Sequence, residues 1–591
     1  MTNFTTKLLI ATMLSGLSAS AYAQAVPNTV NWNSNEPIGD ATINQSGNAN
    51  AITVDLPNAS GNYFDLAQAG GDSNTIAISS NGGQLTNSVA VTIQNGSGNQ
   101  AQANIQNSSG YLASSHIVQE GSNNSSTNTS TGADVALNYT YGNSNMSNIN
   151  AGGDWDTVTT TLNGNFNYSD VYMEGSNNTL SENVTGDNNS VAAYAFGNGN
   201  YATANIRGNG NGVYSESYGD SNQQTSYVSG NNNGAYDYLI GNNNTANMSV
   251  AGNENFSEIY DYASNNQNNI HQSGDNNEAT AVSFFSNANT TNIYQNGSNN
   301  FAYSLQESGD GNTTTINQNN SNTSGNNNST YAEVFGANNT VQSTQNGNNN
   351  ANTIIASGNW NTINANVAGN SNGTTASVTG SNNFVDITGY NNGQPTTSQG
   401  DGNFNVASVT GDGNEAYIHS DSVHNNTQNS IIISGTENQV GIWQIGNTAQ
   451  NVATANVQGD YNAIILNQAN SNGDPITADS MTANVTGNSN IASLNQDGVG
   501  NVMQATLTGN SNNAILQQFG TANNMTATLA GNSNSLNNSQ SGDNNTMQVA
   551  FYGDNNHGSF TQSNSTPGSI GNSLSYSYTG SGKTISVSQS K

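Results

Sequence analysis

The sequence predicts an all-β fold: a β-solenoid of 22-residue coils, each built from two strand-turn units of 11 residues, with about 23 coils in all. Three observations predict it. Glycine recurs every 11 residues from Gly142 to Gly252 without a miss, and Asn (once Asp156) follows three residues after each. Between these corners the side chains alternate. After Gly542, Met547, Val549 and Phe551 share one parity while Gln548, Ala550 and Tyr552 share the other, which marks a strand with one buried face. Like residues also return every 22 positions. Gln496, Gln518, Gln540 and Gln562 form one column, Met503, Met525 and Met547 a second, and Leu507, Leu529 and Phe551 a third. A column held at fixed period places like side chains one coil above another, with two sheets facing across a thin core.

The corners read as G-x-x-N turns, for example Gly186 with Asn189, Gly197 with Asn200 and Gly208 with Asn211. Gly accepts positive φ, and Asn can bond its own backbone and tolerate the left-handed conformation. Buried Gln and Asn are tolerable only if their amides bond one another from coil to coil, as ladders. Clean 11-residue runs recur from Gly336 to Gly380 and from Gly487 to Gly553. The register slips at Ser286 and Gly309, and an insertion surrounds Gly473-Asp474-Pro475.

Taken in chain order, residues 1–23 read as a secretory signal peptide. Met1–Lys7 is basic, Leu8–Leu17 apolar, and Ala21-Tyr22-Ala23 is a cleavage site before Gln24. The apolar stretch is shorter than the ~20 residues a membrane span requires, and no later segment qualifies. Residues 24–40 fall outside the repeat; Pro27 and Pro37 interrupt strand pairing there, and the segment reads as a secretion signal or a cap. Residues 41–564 carry the repeat. Residues 565–591 lose it and read as a C-terminal tail or cap. The mature chain is expected to be extracellular, free or on the cell surface.

Composition removes most other functions. Hydrophobic residues make up 32% and charged residues 7% of the 591, too little for a conventional layered core. A disordered chain of this composition would not hold register over so many units. Lys and Arg number 4 against 36 Asp and Glu; loss of Lys7 with the leader leaves three cations and a net charge of −33. Nucleic acid and anionic membranes are thus unsuitable partners. The absence of cysteine rules out disulfides and thiol chemistry. The histidines (His116, His271, His419, His424, His557) are scattered, and no nucleophile, base and orienting group can be named together. Gly-Asp corners such as Gly186-Asp187, Gly219-Asp220, Gly274-Asp275 and Gly411-Asp412 are similar to those of calcium-binding repeats. Their period and their Asn at the carboxylate position differ, so the Asp residues read as solubilising charges. No enzyme activity, metal or cofactor is expected.

The unit Gln-x-Gly-x-x-Asn occurs as Gln45…Gly47…Asn50, Gln94…Gly96…Asn99, Gln119…Gly121…Asn124, Gln272…Gly274…Asn277, Gln295…Gly297…Asn300 and Gln345…Gly347…Asn350. It returns as Gln496…Gly498…Asn501 and Gln540…Gly542…Asn545. With its 22-residue period it resembles the curlin repeat of curli subunits. The resemblance implies a secreted structural protein whose solenoids stack end to end into extracellular amyloid fibres for adhesion and biofilm matrix. It also implies self-association, a dedicated outer-membrane secretion channel and a nucleator subunit, without membrane insertion. The chain is an unusually long example, and from about 130 to 262 the Gln column is absent. In that stretch Tyr172, Tyr194, Tyr238 and Tyr260 form an outward column interrupted by Glu216, with Tyr214 and Tyr236 beside it. This is either the ordinary preference of Tyr for strands or an aromatic stripe for fibre bundling or sugar stacking. The alternatives are a monomeric solenoid adhesin that binds carbohydrate, and a polysaccharide-cleaving solenoid, which would need carboxylates clustered on one face.

Overall fold

The structure is a computed structural model that describes residues 27–34, 41–56, 59–60, 63–79, 85–86, 88–106, 113–318, 327–390, 402–422, 427–446, 451–470, 478–564 and 570–591. The leader, Pro37, His424 and the Gly473-Asp474-Pro475 insertion lie outside the described residues. The fold is an all-β solenoid of parallel coils of about 22 residues, with about 21 turns. Several coils carry insertions. Corresponding residues are 27 apart at Gln318 and Gln345, 28 apart at Asn456 and Asn484, and 31 apart at Ser381 and Asp412.

Two compact units divide the chain, residues 1–287 and 288–591. In each, every coil gives one strand to a first sheet and one to a second. In the first unit the first sheet runs from Ala41–Gln45 to Gln267–Ser273, and the second from Thr29–Ser34 to Glu278–Phe284. In the second unit the first sheet runs from Thr290–Asn296 to Thr584–Ser590, and the second from Phe301–Glu307 to Ser573–Thr579. Pairing is parallel and in register, as in Met503↔Met525↔Met547 and Leu507↔Leu529↔Phe551. Alternation does what period two requires. Along Val502–Thr508, Met503, Ala505 and Leu507 are buried and the residues between them face outward.

The ladder runs past both boundaries drawn from the sequence. Thr29–Ser34 pairs with Ala51–Leu56, while Ser573–Thr579 and Thr584–Ser590 pair with Thr546–Tyr552 and His557–Ser563. The last of these steps, from Gln562 to Gln589, spans 27 residues, which hides the period of 22.

Candidate functional site

The corners join the coils through side chains as well as backbone. Gly186 has a φ of 125°, and a Cβ there would lie 1.9 Å from the carbonyl oxygen of Gly208 in the next coil. Only glycine satisfies both conditions. The left-handed residue is the one two positions after Gly, such as Asn188 (φ 58°) or Ser221 (φ 59°), and not the Asn at the third position. That Asn is buried instead, because its amide is needed between coils. Asn189 Nδ2 donates to Gly208 O at 2.8 Å and to Asn167 Oδ1 at 3.0 Å, and Asn189 Oδ1 accepts from Asn211 N at 3.0 Å. Asn200 and Asn211 repeat the arrangement, donating to Gly219 O and Gly230 O.

The Asp of the Gly-Asp corners has a comparable duty. Asp187 Oδ1 accepts from Asn165 N at 2.7 Å, Asp220 Oδ1 from Asn198 N at 2.7 Å, and Asp412 Oδ1 from Ser381 N at 2.6 Å. The carboxylate caps a backbone N–H of the preceding coil. Among the described residues no three His, Asp or Glu side chains gather into a group that could hold a metal ion.

Inside the first sheet the Gln side chains form ladders in which each Nε2 donates to the Oε1 of the next coil. Gln45, Gln68, Gln94 and Gln119 are linked in this way at 2.7, 2.9 and 2.8 Å. In the second unit Gln444, Gln468, Gln496, Gln518, Gln540, Gln562 and Gln589 form one unbroken series. Where Gln is missing from the column, Thr140 is followed by Leu162, Val184, Ile206, Val228 and Val250.

Those Gln-free coils hold buried acids that period analysis did not single out. Glu182 accepts from Ser169 Oγ, and burial raises its pKa to about 7. Asp237 accepts from Gln224 Nε2, and burial raises it to about 8. Both sit on the inward parity, Glu182 between Leu180 and Val184 and Asp237 between Ala235 and Leu239. That parity was the available signal. Each has one oxygen without a hydrogen-bond partner, Glu182 Oε1 and Asp237 Oδ2.

The Tyr column lies outward on the second sheet, with Tyr172↔Tyr194↔Glu216↔Tyr238↔Tyr260 in register. The ring contacts run diagonally from this column to a second one, Phe196, Tyr218, Tyr262 and Phe284. Centroids are 5.4 Å apart for Tyr172–Phe196, 4.7 Å for Phe196–Tyr218, 5.9 Å for Tyr218–Tyr238, 5.7 Å for Tyr238–Tyr262 and 5.1 Å for Tyr262–Phe284. Sequence reading missed this second column although its members also recur at multiples of 22. Carboxylates stand between the rings: Asp170 accepts from Tyr194 Oη at 2.9 Å, and Glu216 accepts from Tyr218 Oη at 2.6 Å and from Tyr214 Oη.

Among known proteins, the family described as curlin associated repeat matches residues 287–319, one coil and part of the next. The segment contains Gln295, whose Nε2 donates to Gln318 Oε1 at 2.9 Å, and the Gly297…Asn300 corner. The chain thus carries the curlin repeat, in agreement with the resemblance seen in its motifs. No curated protein matches it. No helix among the described residues is long and apolar enough to cross a membrane.

Proposed function

We propose that this chain is a curlin-type structural subunit, exported and then polymerised end to end into an extracellular amyloid fibre that serves adhesion and matrix. The role is architectural rather than enzymatic. The observation that carries the reading is the polarity of the ladders at their ends. Among the described residues, Ala41–Gln45 pairs only with Tyr63–Ala69, and Thr584–Ser590 pairs only with His557–Ser563. Alternate residues of both end strands are half-exposed, whereas the same columns are buried within the stack. Unpaired N–H and C=O groups at such edges are a template for another chain. The amides add direction. Gln45 already donates through Nε2 to Gln68, which leaves its Oε1 at the open end. Gln589 accepts from Gln562 and presents Nε2, held only by a 3.4 Å contact to Ser573 O. Gln589 of one molecule and Gln45 of the next therefore complete the same ladder head to tail. The secretion channel and nucleator enter this reading through the curlin resemblance alone.

The test is thioflavin-T fluorescence with negative-stain electron microscopy on residues 24–591 diluted from denaturant. Fibres that seed their own growth are expected. The double variant Gln45→Ala/Gln589→Ala should elongate about tenfold more slowly with unchanged circular dichroism, since each new interface loses a buried amide pair. Folded chains that stay monomeric would replace this reading with that of a solitary adhesin rod.

A further inference from the structure

The outward aromatic face of the first unit has features that fibre assembly does not use. Its rings touch across six successive coils from Tyr172 to Phe284, at centroid distances between 4.7 and 5.9 Å. A shallow groove of about 400 Å³ opens among Asp170, Tyr172, Tyr194, Phe196, Tyr214 and Glu216. The acids in it accept hydrogen bonds from tyrosine hydroxyls, which hold them in place. Among the described residues of this unit the one Lys or Arg is Arg207, on a strand of the other sheet. The face thus combines a row of packed apolar rings, of which Phe196 and Tyr218 stack on each other and turn their edges outward, with acidic side chains that face no Lys or Arg among the described residues of this unit.

The geometry points to an extended, amine-bearing polysaccharide as the occupant, lying along the stripe with the apolar sugar faces against the outward surface of the ring row and ammonium groups beside Asp170 and Glu216. Tilted and edge-on rings of such a row offer apolar surface to a pyranose ring, and a ring face left uncovered attracts a cation. Charge complementarity argues against a neutral glycan. It argues equally against a second copy of this chain, which would bring the same carboxylates and a mature charge of −33. Register argues against a basic peptide. An extended chain shows same-side side chains only every ~6.6 Å, out of step with coils ~4.8 Å apart, whereas a β-1,4-linked sugar chain turns over at each ring and brings its amines to one side at every second ring, as Asp170 and Glu216 stand two coils apart. The proposal holds for the soluble chain as for the fibre, so failure to polymerise would not bear on it.

Isothermal titration of the freshly diluted, soluble chain tests it at pH 6 with a β-1,4-linked glucosamine hexasaccharide. Binding should be at least tenfold tighter than to the fully N-acetylated hexasaccharide and should weaken with added salt. Asp170→Asn/Glu216→Gln should cost about tenfold, and Tyr172→Ser/Phe196→Ser/Tyr218→Ser/Tyr238→Ser should abolish binding with circular dichroism unchanged. If the aromatic variant fails to fold, the carboxylate variant, which alters only outward polar groups, decides the matter. Equal affinity for the acetylated sugar, tighter binding of a hexa-arginine peptide, or no binding at all would each overturn the proposal.

Discussion

In the corner Gly241-Asn242-Asn243-Asn244, three identical residues do three different things. Asn242 Oδ1 accepts from Asp220 N of the preceding coil, Asn243 takes the left-handed conformation at φ 58°, and Asn244 is buried and donates to Ala263 O. The need for Gly was legible from its period and from the steric rule for positive φ. The division of labour was not, because Asn suits all three positions and the sequence often places it at all of them. Burial separates them by consequence. Asn200→Ala removes the partner of Gly219 O and of Asn222 N, both inside the stack. Leaving these groups unsatisfied should cost about 2–4 kcal/mol. The exposed Asn198→Ala should cost under about 1 kcal/mol, since water replaces its bonds. Coils couple mainly to their neighbours, so the loss should appear as faster amide hydrogen exchange confined to the coils around residue 200. Uniform protection in Asn200→Ala would sink the claim.

Strands were legible wherever the 22-residue step held, because a like-with-like column fixes register without any further information. They were hidden where a coil is lengthened. Val378 pairs with Val409 across a 31-residue step, a spacing that no column at 22 would suggest. The interior of the first sheet comes in two kinds, amide and aliphatic, and they should respond differently to substitution. Gln518 accepts from Gln496 at 3.0 Å and donates to Gln540 at 2.8 Å. Gln518→Leu strands a donor above and an acceptor below, so a loss of about 2–4 kcal/mol is expected. Val228→Leu, in the aliphatic stretch, strands nothing and should cost about 1–3 kcal/mol through overpacking alone. Exchange protection also sets the two apart. Gln518→Leu should expose amides in both neighbouring coils, and a purely local effect would mean that the ladder contributes no cooperativity.

At the scale of the whole molecule, buried acids tie stability to pH. Burial raises Asp134 to about 6, Asp156, Glu182, Asp261 and Asp479 to about 7, and Asp237 to about 8. In the unfolded chain such carboxyls titrate near 4. Between about pH 4 and pH 8 the folded chain therefore holds protons that the unfolded chain has released, and its stability falls as pH rises. The penalty is absent below the unfolded values and complete above about pH 8. Self-repulsion from the net charge of −33 on the mature chain adds to it. Mild acidification should accordingly stabilise the solenoid and speed fibre growth. The urea midpoint, followed by tyrosine fluorescence, is expected to rise from pH 8 to pH 5. Glu182→Gln/Asp237→Asn tests the origin of that slope. An amide oxygen can still accept from Ser169 and from Gln224, but neither new side chain ionises. The variant should match the parent near pH 4.5, exceed it at pH 8, and show a flatter profile between. Parallel profiles would assign the pH dependence to surface charge and leave the buried acids without a part in it.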